Sequence, residues 1–211
     1  AAIGLDINRN LPVEPGSAEL EETFRKTPYV FGVEKVGENS VSPHQTLDEL
    51  DQTAAADILV DPDGRVRRGL LTLGSEKNEY TSTLATALAL EYLAQKNIFP
   101  EMIDSQGLLM QLGKGRVKRF ESNDGGYVNA DHYGYQVLMN YRADYRQFES
   151  ISMAAVLNGE LSEEQVQGRI VMLGSTAVSL NDLFYTPLEK HSQVAGVYIH
   201  AHLASQLLSV A

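Results

Sequence analysis

The chain has no cysteine, so no disulfide holds it together, and the absence suits an oxidising compartment where a free thiol is a liability. It has no apolar run near the roughly 20 residues that a membrane-spanning helix needs, and the opening Ala1-Ala2 is no secretory signal. Positive charge is scarce: 17 Lys plus Arg stand against 28 Asp plus Glu, a net charge of -11. That balance disfavours nucleic acid or an anionic membrane surface as a partner and favours solubility, while leaving room for a local basic pocket. No linker-like stretch divides the 211 residues, and at 43% hydrophobic content they suffice to bury one full core. The expectation is a single α/β domain with a central mixed sheet flanked by helices.

The stretch from Arg169 to Val210 organises the rest. Ile170-Val171-Met172-Leu173, closed by Gly174, reads as a buried strand. Ser175, Thr176 and Ala177 let the backbone turn as the strand emerges, and Asn181, Asp182 and Thr186-Pro187 keep the following residues irregular. After Gly196 the period becomes helical, with Val197, Ala201, Ala204 and Leu208 on one stripe. Strand, polar loop and helix in this order place the loop at a strand's carboxyl end, where α/β folds hold their ligands.

Upstream, Ala2 to Ile7 reads as a strand, and residues 8 to 16 as a loop. Ser17 is placed to cap a helix that carries Leu20 and Phe24 on one face. Tyr29 to Val33 is β-branched and aromatic, hence a second strand, and residues 43 to 57 read as a short helix or surface loop anchored by Leu47 and Leu50. Asp57 to Val60 and Val66 to Leu73 read as a hairpin across Asp61-Pro62-Asp63-Gly64. Residues 79 to 97 give the longest helical signal, ended by Pro100. Leu108 to Leu112, Val117 to Phe120 and Tyr135 to Asn140 read as strands, and Phe148 to Val156 as a short strand running into a helix.

Several patterns suggest chemistry and then withhold a requirement of it. Asp61-x-Asp63-Gly64 has the alternating carboxylates of a calcium loop, but Arg65 and Arg67 follow and no bidentate Glu stands at the EF-hand position. Gly113-Lys114-Gly115 lacks the glycine spacing and the Ser or Thr of a phosphate loop. Ser175, Asp182 and His200 or His202 supply the residue types of a hydrolase triad, without the Gly-x-Ser-x-Gly elbow between strand and helix. The two histidines, two apart on a helix, project about 200° from each other and cannot share a metal; on a strand they would share a face. His200 reads as a buried histidine bonded to a carboxylate or a carbonyl, still able to report pH. Asp6 reads either as a site residue or as a carboxylate that bonds loop amides, the second being the commoner habit. Tyr127, Tyr133, Tyr135, Tyr141 and Tyr145 read more as the rim of a core than as a pocket lining. Arg67 and Arg68 point to opposite faces of a strand, and a buried one needs a partner such as Asp6, Asp63 or Asp182.

The run I-V-M-L-G-S-T-A, then S-L-N-D-L-F-Y-T-P and G-V-Y-I-H-A-H, closely resembles the end of CHASE2 domains. Gly4-Leu5-Asp6-Ile7, Leu11 to Gly16, Asp61-x-Asp63-Gly64-x-x-Arg67-Arg68, Asn123 to Tyr127, Gly134-Tyr135-Gln136 and Asn140-Tyr141-Arg142 resemble the family's other landmarks, in order across nearly the whole chain. The resemblance implies a periplasmic or extracellular input module of a bacterial inner-membrane receptor, not an enzyme. Its membrane anchors and an adenylate cyclase, histidine kinase or similar output would stand outside this chain. It also implies a strand and helix upstream of the G-L-D-I strand, at which this chain opens. No cofactor or metal is expected. The expected partner is an unidentified small molecule held by Ser175, Thr176, Asn181 and Asp182, joined by Arg68 and Arg142 if it is anionic. The alternative from another class is a homodimerisation or protein-interaction module that binds nothing small.

Overall fold

The computed structural model describes residues 2–36, 39–74, 80–142, 144–189 and 191–211. Its centre is a parallel sheet of β1 (Ala2–Asp6), β2 (Val30–Glu34), β3 (Thr53–Ala55) and a late strand, Ile170–Gly174. That late strand lies beside β1, and the order is late strand, β1, β2, β3. Between β1 and β2 runs α1 (Ser17–Lys26), and between β2 and β3 the short α2 (Gln45–Glu49). Left-handed Gly16 precedes α1 where Ser17 was expected to cap it, and Ser17 is buried as its first residue.

β4 (Arg68–Leu73) pairs antiparallel with β5 (Thr81–Ser82) and with a strand at Tyr135–Leu138. A parallel bridge between Ala55 and Thr83 links this antiparallel sheet to the parallel one, which gives the central sheet its mixed character. The expected hairpin through Asp61 is absent. Asp57 instead accepts the Val36 amide at 2.8 Å, and the strand in this region is Thr53–Ala55, paired with Gly32 to Glu34. Alanine is a poor strand former, but Ala54 and Ala55 are fully buried, and their small size admits the covering helix.

That helix is α3 (Leu84–Ala94). Thr83 precedes it and donates its hydroxyl to the Leu70 carbonyl at 2.7 Å; Glu79, where the sequence places the start, lies outside the described residues. Leu84, Ala85, Leu88, Ala89 and Leu93 are all buried, and a side chain at Gly4 of β1 would come within 2.5 Å of Leu88. Beyond α3, β6 (Pro100–Met102), β7 (Leu109–Leu112) and β8 (Gly115–Lys118) form an antiparallel sheet. The strand at Tyr135–Leu138 is β9. The strand expected from Phe148 is not formed: Ser152 accepts the Ala155 amide and caps α4 (Met153–Leu157) instead.

The late parallel strand is β10, followed by β11 (Leu183–Phe184), β12 (Val194–Ala195) and α5 (Gly196–Val210). The helix is buried on more than the expected stripe, since Ile199, His200, His202, Leu203 and Leu207 are also enclosed. One side of it joins α3, β7, β8 and β9 in the main core through Leu203, Ala204 and Leu207. Its other side is covered by Tyr141, Tyr145 and Phe148, with Tyr141 and Phe148 edge-on to His202 at 5.0 and 4.9 Å and Tyr145 against Tyr198. Among the described residues no helix is long and apolar enough to cross a membrane.

Candidate functional site at the ends of two parallel strands

The chain leaves β1 toward β2 on one side, while β10 lies on the other, so the connections diverge between these two strands. Asp6 and Gly174 stand side by side at their carboxyl ends. This is the place where an open parallel sheet leaves a crevice for ligands. Gly174 is required there: a Cβ would come within 2.5 Å of the Val197 Cβ, so strand end and helix start approach closely only without a side chain.

Three titratable groups act on one another in this region. Asp6 comes from β1, Asp182 from the loop after β10, and His200 from the second turn of α5. Burial pushes the Asp6 carboxyl above its ordinary value; His200 opposes the shift and the Asp182 charge adds to it. Asp182 is raised too, chiefly by burial, with His200, the Gly196 amide and Lys35 acting the other way. Asp182 lies against the first residue of α5, its carboxylate 2.5 Å from where a Gly196 Cβ would sit, and its carbonyl accepts the Gly196 amide at 3.0 Å. His200 is only 3% exposed. Its Nε2 and the Asp6 Oδ2 are buried without a hydrogen-bond partner among the described residues. The expected bonds, loop amides for Asp6 and a carboxylate or carbonyl for His200, are therefore not made by these two atoms. Buried polar atoms are nearly always paired, so two orphans on neighbouring elements mark the spot.

The loop residues named from the sequence, Ser175, Thr176 and Asn181, belong to the loop that carries Asp182. Ser175 accepts the Ala177 amide at 3.1 Å on its hydroxyl, Thr176 is exposed, and Asn181 takes the left-handed conformation at φ 54° as it closes a turn over Val178–Leu180. The two arginines are engaged elsewhere. Arg142 reaches Ser205 on α5, at 2.9 Å to its hydroxyl and 3.2 Å to its carbonyl. Arg68 is buried and donates to Asp61 at 2.9 Å, to the Asp131 carbonyl at 2.6 Å and to Gln136 at 2.8 Å. Its partner is thus Asp61, one of the two carboxylates of the calcium-like turn; Asp63, the other, pairs with Arg67 at 2.6 Å. Tyr127, Tyr135 and Tyr141 spend their hydroxyls on Asp61, the Val117 carbonyl and the Val66 carbonyl, as members of the framework. His202 points away from His200 into the aromatic cover, where burial lowers its pKa. Among the described residues no group of three or more His, Asp or Glu is placed to hold a metal ion.

Asp6 with His200 is the combination that sequence reading missed. Its signal lies in topology: the two residues are 194 positions apart and meet only because β10 pairs with β1.

The fold is thus an α/β domain in which a polar loop and two short strands join the end of β10 to α5. The chain belongs to the CHASE2 domain family, whose model matches residues 1–211, the whole of it. CHASE2 domains are extracytoplasmic sensory domains of receptors, not catalysts. No curated protein and no solved structure matches the chain.

Proposed function

We propose that this chain is the periplasmic or extracellular input domain of an inner-membrane receptor and binds a small ligand at the ends of β1 and β10. The observation that supports the reading is a pair of buried polar atoms, Asp6 Oδ2 and His200 Nε2, that have no hydrogen-bond partner among the described residues, with the Asp182 carboxylate against the start of α5. Ser175, Thr176 and Asn181 belong to the loop that leads from β10 to Asp182 and would reach the ligand from there. The site's parts belong to three elements, and one of them is the last helix. A ligand that binds one packing of α5 better than another shifts the populations of the two, and the helix carries that difference to an output such as a cyclase or histidine kinase.

Thermal melting of the 211-residue chain against metabolites, ions and pH tests this. A ligand at 100 times its dissociation constant stabilises by about 2.7 kcal/mol, a readily visible shift. The expected result is a shift that Asp182→Ala removes while the variant still folds. A flat panel, with a melting point that rises with protein concentration, would instead establish an association module and overturn the ligand reading.

A further inference from the structure

We infer that the ligand of this site is an organic amine, whose N–H-bearing ammonium group is held between Asp6, Asp182 and His200. The inference rests on the sensor reading of the same site and names the chemistry that would fill it.

The cluster offers acceptors and lacks donors. Asp6 and Asp182 are both carboxylates, and neither is hydrogen-bonded or ion-paired to any arginine or lysine among the described residues; Lys35 acts on Asp182 only through its field. His200 is buried in the second turn of α5, four residues after Gly196, against which the Asp182 carboxylate lies, and Asp6 stands beside Gly174, which packs on Val197 of the same helix. His200 Nε2 has no hydrogen-bond partner among the described residues, and in the tautomer that carries its proton on Nδ1 it offers a third acceptor. A primary ammonium brings three N–H donors and one positive charge, which matches three acceptors and a surplus of negative charge. A metal ion is the competing cation, but it requires ligands at about 2.0–2.6 Å. The described His, Asp and Glu residues do not form such a set, whereas N–H···O bonds need only about 2.7–3.2 Å.

Proton linkage follows from the same geometry. The groups facing Asp6 are Asp182 from the loop and His200 from α5, with Lys35 acting on Asp182 from the end of β2. Burial makes Asp6 hold its proton to a higher pH than an ordinary aspartate, and an ammonium needs it ionised. Binding therefore releases a proton, and affinity falls about tenfold for each pH unit below the raised pKa of Asp6.

The test is the melting point of the 211-residue chain with methylammonium, ethanolamine and 1,4-diaminobutane at matched ionic strength. Tetramethylammonium, which has the charge but no N–H, and acetate serve as controls. The inference expects the N–H-bearing amines to raise the melting point with concentration and the controls to leave it unchanged. Asp6→Asn and Asp182→Asn, each confirmed as folded by its own melt, should lose the shift, and the surface variant Asp63→Asn should keep it. An equal shift from tetramethylammonium, or a shift that survives Asp6→Asn, would overturn the inference. A shift from neutral or anionic compounds alone, removed by Asp182→Ala, would overturn the amine and leave the sensor reading standing. Silence from all of these compounds would overturn the amine and leave the sensor reading to the broader panel.

Discussion

Asp61 and Asp6 are two enclosed aspartates of one domain, and their surroundings differ in every respect that matters to function. Asp61 is met by Arg68 at 2.8 and 2.9 Å, Arg67 at 3.2 Å and the Tyr127 hydroxyl at 2.7 Å. Arg68 in turn lies over the Phe120 and Tyr127 rings, 5.1 Å from each centroid, and bonds Gln136 and the Asp131 carbonyl. Even the Tyr127 hydroxyl is tuned by the arrangement, its pKa pushed up to about 12 by burial and the bond to Asp61. Asp6 has no such company, only a second carboxylate, an unpartnered histidine nitrogen and the start of a helix. A saturated network fixes one geometry and has nothing left to offer a ligand. An unsaturated one costs stability in the empty domain and keeps that cost available to whatever fills it.

The sharpest way to break the comparison is to desaturate the first cluster. Arg68→Met keeps most of the buried volume but removes the charge from Asp61, with Arg67 as partial replacement. Taking one partner from a buried pair costs about 3–5 kcal/mol, and urea unfolding with an unchanged m-value should report a loss in that range. A loss below about 1 kcal/mol would show that Arg68 is dispensable to the framework and free for a ligand, which would erase the contrast. Less drastic is Gly174→Ala at the second cluster. The added methyl would lie 2.5 Å from the Val197 Cβ, so the strand end and α5 must part, at about 1–3 kcal/mol. The same variant should weaken ligand binding, because Asp182 and His200 ride on the displaced elements. Retained stability would mean that the two backbones are not tightly seated.

Much of this frame was legible in the chain. Apolar runs marked β1, β2 and β10, the break at Gly174 marked the loop, and Gly196 marked the final helix, because burial and backbone freedom act locally. What was not legible depends on partners distant in sequence. Ala54 and Ala55 look unlike a strand until α3 covers them. Arg68 could be matched to several carboxylates on paper, and only the turn at Pro62 and Gly64 decides for Asp61. Ser175, Thr176, Asn181 and Asp182 could be nominated by the rule about strand ends, whereas setting Asp6 with His200 needed the pairing of the first strand with the tenth.

The smallest predicted change has the opposite sign and bears most directly on the contrast. Asp6 has a raised pKa in the folded chain, so the folded state binds the proton more tightly than the unfolded state does. The contribution of this group to stability is therefore fully present below the ordinary aspartate value of 3.8 and is lost as pH rises through the raised folded value. Above that point the domain carries an ionised, buried carboxylate whose Oδ2 has no partner among the described residues. Asp6→Asn removes the charge with little change in shape, so the variant should melt higher than the parent at pH 7. The advantage should shrink as pH falls and vanish below 3.8, where the parent is protonated as well. Melting curves of both proteins across this range give the difference directly. A variant that melts lower than the parent at pH 7 would mean that the Asp6 carboxylate is satisfied in the empty domain. In that case the two clusters would be alike, and the strand-end site would lose the feature that sets it apart.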